Sequence, residues 1–124
     1  MQLTEFVYVG ECHELGRGRK ASAKETPYCA PHSEKHEVRC CSSTAINGFT
    51  KTSCRGTDLW TESDSVGFGG CQHSMTFDQA DELCKSMSAR LCTKDELEGD
   101  CAAGTGCLHD EDLIWSSTPS GMSQ

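Results

Sequence analysis

Ten cysteines in a chain of 124 residues limit what it can fold into more than any other feature. The number is even, and the density is close to that at which a disulfide scaffold becomes the default reading. Five bridges are expected, drawn from Cys12, Cys29, Cys40, Cys41, Cys54, Cys71, Cys84, Cys92, Cys101 and Cys107. Persistent disulfides imply an oxidising compartment, so the expected location is extracellular, secreted or at the cell surface. Large apolar side chains are scarce: mean hydropathy is -0.52, and the 35% hydrophobic fraction already counts the cysteines. Cross-links must make up the difference, each adding about 2 to 4 kcal/mol by restricting the unfolded chain. Reduction is expected to unfold the protein.

Val38-Arg-Cys-Cys41 carries the sharpest geometric statement. In a strand, adjacent residues point to opposite faces, so Cys40 and Cys41 cannot share a partner and should staple their strand to two different neighbours. Around this hub, Phe6 to Val9 reads as a first strand. From His13 to Ser33 the composition shifts to Gly, Arg, Lys, Ser and Pro, which predicts an exposed loop, with Gly16-Arg-Gly-Arg-Lys20 as its basic cluster. That cluster is read as solvated surface, with anion binding as the competing reading. Asn47-Gly48 is a signal for a two-residue hairpin, Leu59-Trp60-Thr61 a short strand, and Ser63 to Gly70 a glycine-rich loop. The glycines between Cys101 and Cys107 let those two cysteines bond each other or two nearby neighbours. Leu113 to Ser117 is the expected last strand, and a flexible tail is expected from Thr118.

Two helices have clear start signals. Thr76 with Gln79, and Thr93 with Glu96, are capping boxes, in which hydroxyl and N3 side chain satisfy each other's unpaired helix-start N–H groups. The first helix starts at Phe77 and turns Phe77, Ala80, Leu83, Cys84 and Met87 to the core. The second carries Leu97 inward and ends at Gly99. Ala89-Arg-Leu-Cys92 between them has room for one short buried strand.

Helix, Ala89-Arg-Leu-Cys-Thr93 and capped helix Lys94-Asp-Glu-Leu97 together resemble the C-type-lectin-like superfamily over residues 71–115. The same pattern is similar to link modules and to a stretch of formylglycine-generating-enzyme-like proteins, so what it specifies is a fold. The Glu-Pro-Asn, Gln-Pro-Asp and Trp-Asn-Asp triplets of calcium-dependent lectins are absent. Few residues follow the second helix, so the resemblance implies an abbreviated fold or one that borrows strands from the N-terminal half. The expected fold class is α+β, a small disulfide-rich domain with two short helices packed on short antiparallel strands around an abbreviated lectin-like core. Residues 1–55 are expected to form a disulfide-pinned strand and loop region, 56–117 the helix-strand-helix core and 118–124 the tail, all within one folded unit.

A net charge of -8, from 19 acids against 11 bases, argues against a nucleic-acid partner, which needs a concentrated basic face. No apolar run approaches the length of a membrane span. Met1 to Val9 has neither a basic start nor a signal core, so the expectation is either a numbering that begins at an expression start or a piece cut from a longer secreted or surface protein. Asp110, Glu111 and Asp112 could supply the oxygen ligands calcium takes, which makes calcium the candidate cofactor, against the plainer reading of a solvated turn. Cys29, His32, His36 and Cys40 can be drawn as a tetrahedral zinc site, but the even cysteine count favours disulfides. Trp60, Tyr8 and Trp115 offer flat apolar faces with polar edges for stacking on a sugar, Trp60 best placed and Trp115 better read as core. No nucleophile elbow, phosphate loop or metalloprotease helix occurs, so a non-enzymatic role is expected. The expected function is a binding module for a glycan or an extracellular protein. The alternative is a structural module of a matrix, cell wall or filament, assembling as a homo-oligomer.

Overall fold

The computed structural model describes residues 12–18, 25–62, 74–102 and 113–120. Among these residues, two antiparallel sheets and two helices form an α+β unit. The strands are β1 (Cys12–Arg17), β2 (Cys29–Pro31), β3 (Cys40–Ser42), β4 (Thr50–Cys54), β5 (Thr57–Glu62), β6 (Arg90–Leu91) and β7 (Leu113–Pro119). Helix α1 (Phe77–Ser86) precedes β6, and α2 (Lys94–Glu98) follows it. One sheet has the order β2-β1-β7 and the other β4-β5-β3-β6.

Strand β3 joins the two cores. Cys40 bonds Cys84 of α1, and Cys41 bonds Cys92 just after β6. Because neighbouring side chains leave a strand on opposite faces, the two bridges enter different clusters. Cys40 lies with Leu15, Val38, Phe77, Cys84, Leu91 and Trp115. Cys41 lies with Leu59, Cys92, Leu97, Cys101 and Ile114. Strand β7 repeats the alternation, sending Leu113 and Trp115 to the first cluster and Ile114 to the second. The remaining described bridges are Cys12–Cys29 and Cys54–Cys101, and no described cysteine is free. Cys71 and Cys107 lie outside the described residues, so Cys101 is seen with a partner from β4.

Both capping boxes form as the sequence predicts. Thr76 Oγ1 accepts from Gln79 N while Thr76 N donates to Gln79 Oε1, and Thr93 and Glu96 do the same. The C-termini also match each other. Ala89 N donates to Cys84 O and Ser88 N to Lys85 O, while Cys101 N donates to Glu96 O and Asp100 N to Leu97 O. These are paired Schellman closures, which need a left-handed residue. Ser88 (φ 62°) and Asp100 (φ 60°) supply it; the second helix ends at Gly99 as expected, and Gly99 is its C-cap with φ -86°, the left-handed turn falling on the next residue.

Three readings are corrected. Residues 13–17 and 29–31, read as exposed loop, lie in strands: β1 is the middle strand of its sheet, with Leu15 fully buried. The loop signal came from Gly16, which is a packing residue, because a Cβ there would lie 2.7 Å from Cβ and Cδ1 of Leu97. Helix α2 sits against β1 at that point, flanked by Lys94–Glu14 (3.2 Å) and Arg17–Glu98 (3.3 Å) ion pairs, so Arg17 of the basic cluster is tied down. Second, Asn47-Gly48 makes a turn (Phe49 N to Ile46 O, 3.0 Å) but not the hairpin. The hairpin joins β4 to β5 through Arg55 (φ 54°) and Gly56 (φ 84°), with Cys54 opposite Thr57. Third, β7 runs through Thr118 and Pro119 into the stretch read as tail, where Thr118 Oγ1 accepts from Lys94 N at 3.0 Å. β1 pairs with β7 and β3 with β6, and three bridges cross from residues 1–55 to the rest of the chain.

Candidate functional site

Strand β1, the segment after β2 and the start of α1 meet on one side of the first sheet. After Pro31 the chain turns (Glu34 N to Pro31 O, 3.0 Å) and docks on the residues ahead of α1. His36 and Met75 exchange both backbone hydrogen bonds (2.9 and 3.1 Å), and Phe77 N donates to His32 O at 3.2 Å. Underneath, the Trp115 indole N–H donates to Met75 O at 2.7 Å. The backbone of residues 32–36 is thereby fixed from two directions, so its side chains present a set arrangement.

Two groups of side chains stand on this frame. In the first, Tyr28 Oη donates to Glu34 Oε1 (2.8 Å), and His36 Nε2 lies 2.9 Å from the same oxygen. With an ionised carboxylate as acceptor, His36 carries its proton on Nε2. Glu34 Oε2 has no hydrogen bond among the described residues. The His36 and Tyr28 hydrogen bonds hold the Glu34 carboxyl below the usual carboxylate range. Partial burial, reinforced by the neighbouring carboxylate, pushes the Tyr28 hydroxyl up to about 12. Tyr28 is the one large hydrophobic side chain among the described residues that is exposed, at 44%.

In the second group, His13 Nδ1 lies 2.7 Å from His32 Nε2. Both imidazoles stack on Phe77, with ring centroids 3.8 and 4.5 Å away. Burial, and then the neighbouring His32, lower the His13 pKa, while Asp81 and Asp78 oppose the shift.

The residues singled out from sequence fare differently. Trp115 is fully buried with its edge bonded to Met75, so it is core and offers no face to a ligand. Trp60 lies on β5 between Lys51 and Ser42 in register, half-buried, with Lys51 Nζ 5.8 Å from its ring centroid. It is not brought together with Tyr28, Glu34 and His36 by any described contact. Tyr8, Asp110, Glu111 and Asp112 lie outside the described residues, as does His73. The drawn zinc site does not form, because Cys29 is bonded to Cys12 and Cys40 to Cys84. Among the described residues, the one group of three ligand-type side chains within mutual reach is Cys41, Cys92 and Glu96. Its sulfurs are joined to each other and its carboxylate is held by Arg90, so it offers no open ligand set.

Tyr28 and His13 were missed because they fall in a stretch whose composition reads as loop, and Glu34 because it directly follows that stretch without a signal of its own. The available signal was Cys12 and Cys29, whose bridge places His13 and the segment after Ala30 on adjoining strands. Comparison of the chain with family models, with curated proteins and with solved structures finds no match.

Proposed function

We propose that this chain is an extracellular, non-catalytic recognition domain whose Tyr28–Glu34–His36 face binds carbohydrate. The observation that carries the reading is the exposed Tyr28 ring beside a carboxylate with one oxygen, Oε2, still able to accept. A sugar presents an apolar C–H face and a rim of hydroxyls, which suits a flat aromatic ring next to a fixed acceptor. The two hydrogen bonds to Oε1 hold the carboxylate in place before a ligand arrives, which lowers the ordering cost of binding. Four described disulfides support the oxidising, extracellular setting, and no described helix is long and apolar enough to cross a membrane. The α1–β6–α2 order supports the lectin-like resemblance.

Glycan-array binding of the oxidised protein, in calcium and in EDTA, tests the proposal. Binding that persists in EDTA and falls at least tenfold in Tyr28→Ala and Glu34→Gln supports it. Binding lost in EDTA and indifferent to Tyr28→Ala would overturn it in favour of a calcium site at Asp110, Glu111 and Asp112. A blank array would also overturn it, leaving the matrix or filament module as the better reading.

A further inference from the structure

We infer that the Cys12–Cys29 disulfide is a redox-sensitive latch, opened by thiol–disulfide exchange with an external dithiol, which frees Tyr28 from the Glu34 carboxylate while both cores stay closed. What the latch controls rests on the carbohydrate reading of that face; the latch itself does not.

The four described bridges stand in unequal surroundings. Cys40–Cys84 lies in the first core cluster, while Cys41–Cys92 and Cys54–Cys101 lie in or against the second. Neither Cys12 nor Cys29 belongs to either cluster, and both are half-buried, one on β1 and the other on β2. An attacking thiolate must reach a sulfur, so exchange favours the bridge that lies outside the cores. This bridge also closes a span of 17 residues, against 44 to 51 for the other three, and so restrains the chain least.

The consequence of opening it is local. Strand β2 is a three-residue edge strand in which only Ala30 is buried. Strands this short hold weakly without a cross-link. Tyr28, directly before Cys29, is tied to β1 by its carbonyl, which accepts from Leu15 N at 3.0 Å. Beyond Pro31 the restraints are of another kind: His36 and Met75 exchange both backbone hydrogen bonds, and Phe77 N donates to His32 O. Glu34 and His36 therefore keep their places when the bridge opens. Tyr28 loses its anchor, and the ring parts from the carboxylate it bonds at 2.8 Å.

The exchange balances without any further reactant. One thiolate of the dithiol attacks a sulfur of the bridge, which forms a mixed disulfide and releases the other cysteine as a thiolate. The dithiol's second thiolate then attacks the mixed disulfide and leaves as an internal disulfide. Two electrons pass to the bridge, and the two protons given up by the dithiol end on Cys12 and Cys29. An oxidised dithiol runs the steps in reverse and closes the latch.

Brief exposure of the oxidised protein to dithiothreitol, followed by alkylation and peptide mass analysis, tests the order of opening. Cys12 and Cys29 are expected to be alkylated at least tenfold faster than any other described cysteine. Amide hydrogen exchange of the protein alkylated at those two positions, and of a Cys12→Ser/Cys29→Ser variant that needs no reductant, tests the consequence. Exchange at Leu15 should rise at least tenfold in both, with exchange at His36 and Met75 changed less than twofold. Another described bridge opening as fast, unchanged exchange at Leu15, or protection lost at His36 and Met75 would each overturn the latch. None of these readouts involves a glycan, so a failed latch and a failed carbohydrate reading are told apart.

Discussion

Replacing Gly16 with alanine tests the packing of β1 on α2 at a single atom. In a strand, the change from glycine to alanine normally stabilises by about 0.5 to 1 kcal/mol, because the unfolded chain loses freedom. Here the new methyl would lie 2.7 Å from both Cβ and Cδ1 of Leu97, and Leu97 is fully buried. Leu97 Cβ cannot swing away by a rotamer change, so α2 itself must move. Overpacking of this kind costs about 1 to 3 kcal/mol, which reverses the sign of the ordinary effect. For a domain of this size 1 kcal/mol corresponds to about 3 to 5 °C, so Tm should fall by about 3 to 15 °C with the disulfides intact. Thermal unfolding followed by circular dichroism reads this directly. In a Leu97→Ala background the penalty should shrink, since the Cδ1 contact is gone, but should not vanish, since the Cβ contact remains. Gly56→Ala is the control: its backbone is left-handed at φ 84° with nothing within 4 Å, so its cost arises from strain and is independent of Leu97. A Gly16→Ala protein as stable as the parent, or more stable, would refute the close approach.

Three further outcomes follow from the same structure. Removing the Cys41–Cys92 bridge by a double substitution to alanine frees a span of 51 residues, for which chain entropy predicts a loss of about 4 kcal/mol in denaturant titration. Glu96 is partly buried, which works against its charge, but the Arg90 fork (2.8 and 2.8 Å) and the Thr93 N–H prevail and depress its pKa. A depressed carboxylate contributes stability above its unfolded value of about 4.3 and loses it as pH falls through the folded value, so the Tm gap between the parent and Glu96→Gln should be widest near neutrality and close below about pH 4. With Arg90 more than a third exposed, the neutral-pH gap should be about 1 to 2 kcal/mol, and a gap independent of pH would contradict the account. Thr61 Oγ1 is buried without a hydrogen-bond partner among the described residues, so Thr61→Val should raise stability by about 1 kcal/mol in the same titration.

What the sequence made legible was what is decided locally. Thr76 with Gln79, and Thr93 with Glu96, fix helix starts within three residues, and both boxes form. The alternation of a strand alone requires Cys40 and Cys41 to part, and they do. What stayed hidden depends on partners distant in the chain. Gly16 reads as a flexible loop residue until Leu97 is placed over it. Arg55 carries no turn signal, yet the register of β4 on β5 puts it at φ 54°, while the louder Asn47-Gly48 makes only a turn. Ser88 and Asp100 take left-handed positions that propensity would assign to glycine, because the helix-end hydrogen bonds demand them. Tyr28, Glu34 and His36 become a face when Met75, some forty residues on, pairs with His36 and Phe77 N–H holds His32 O. Trp115 was legible as core from its place beside Ile114, and it is fully buried, while Trp60 stays half-buried on β5.

Disulfide mapping of the unreduced protein tests the account at its base, because the fold, the extracellular setting and the candidate face all depend on the pairing. Partial reduction with stepwise alkylation resolves the adjacent Cys40 and Cys41, which proteases rarely separate. The account predicts Cys12–Cys29, Cys40–Cys84, Cys41–Cys92 and Cys54–Cys101. Recovery of Cys40 bonded to Cys92, or ready alkylation of either thiol without reductant, would contradict it.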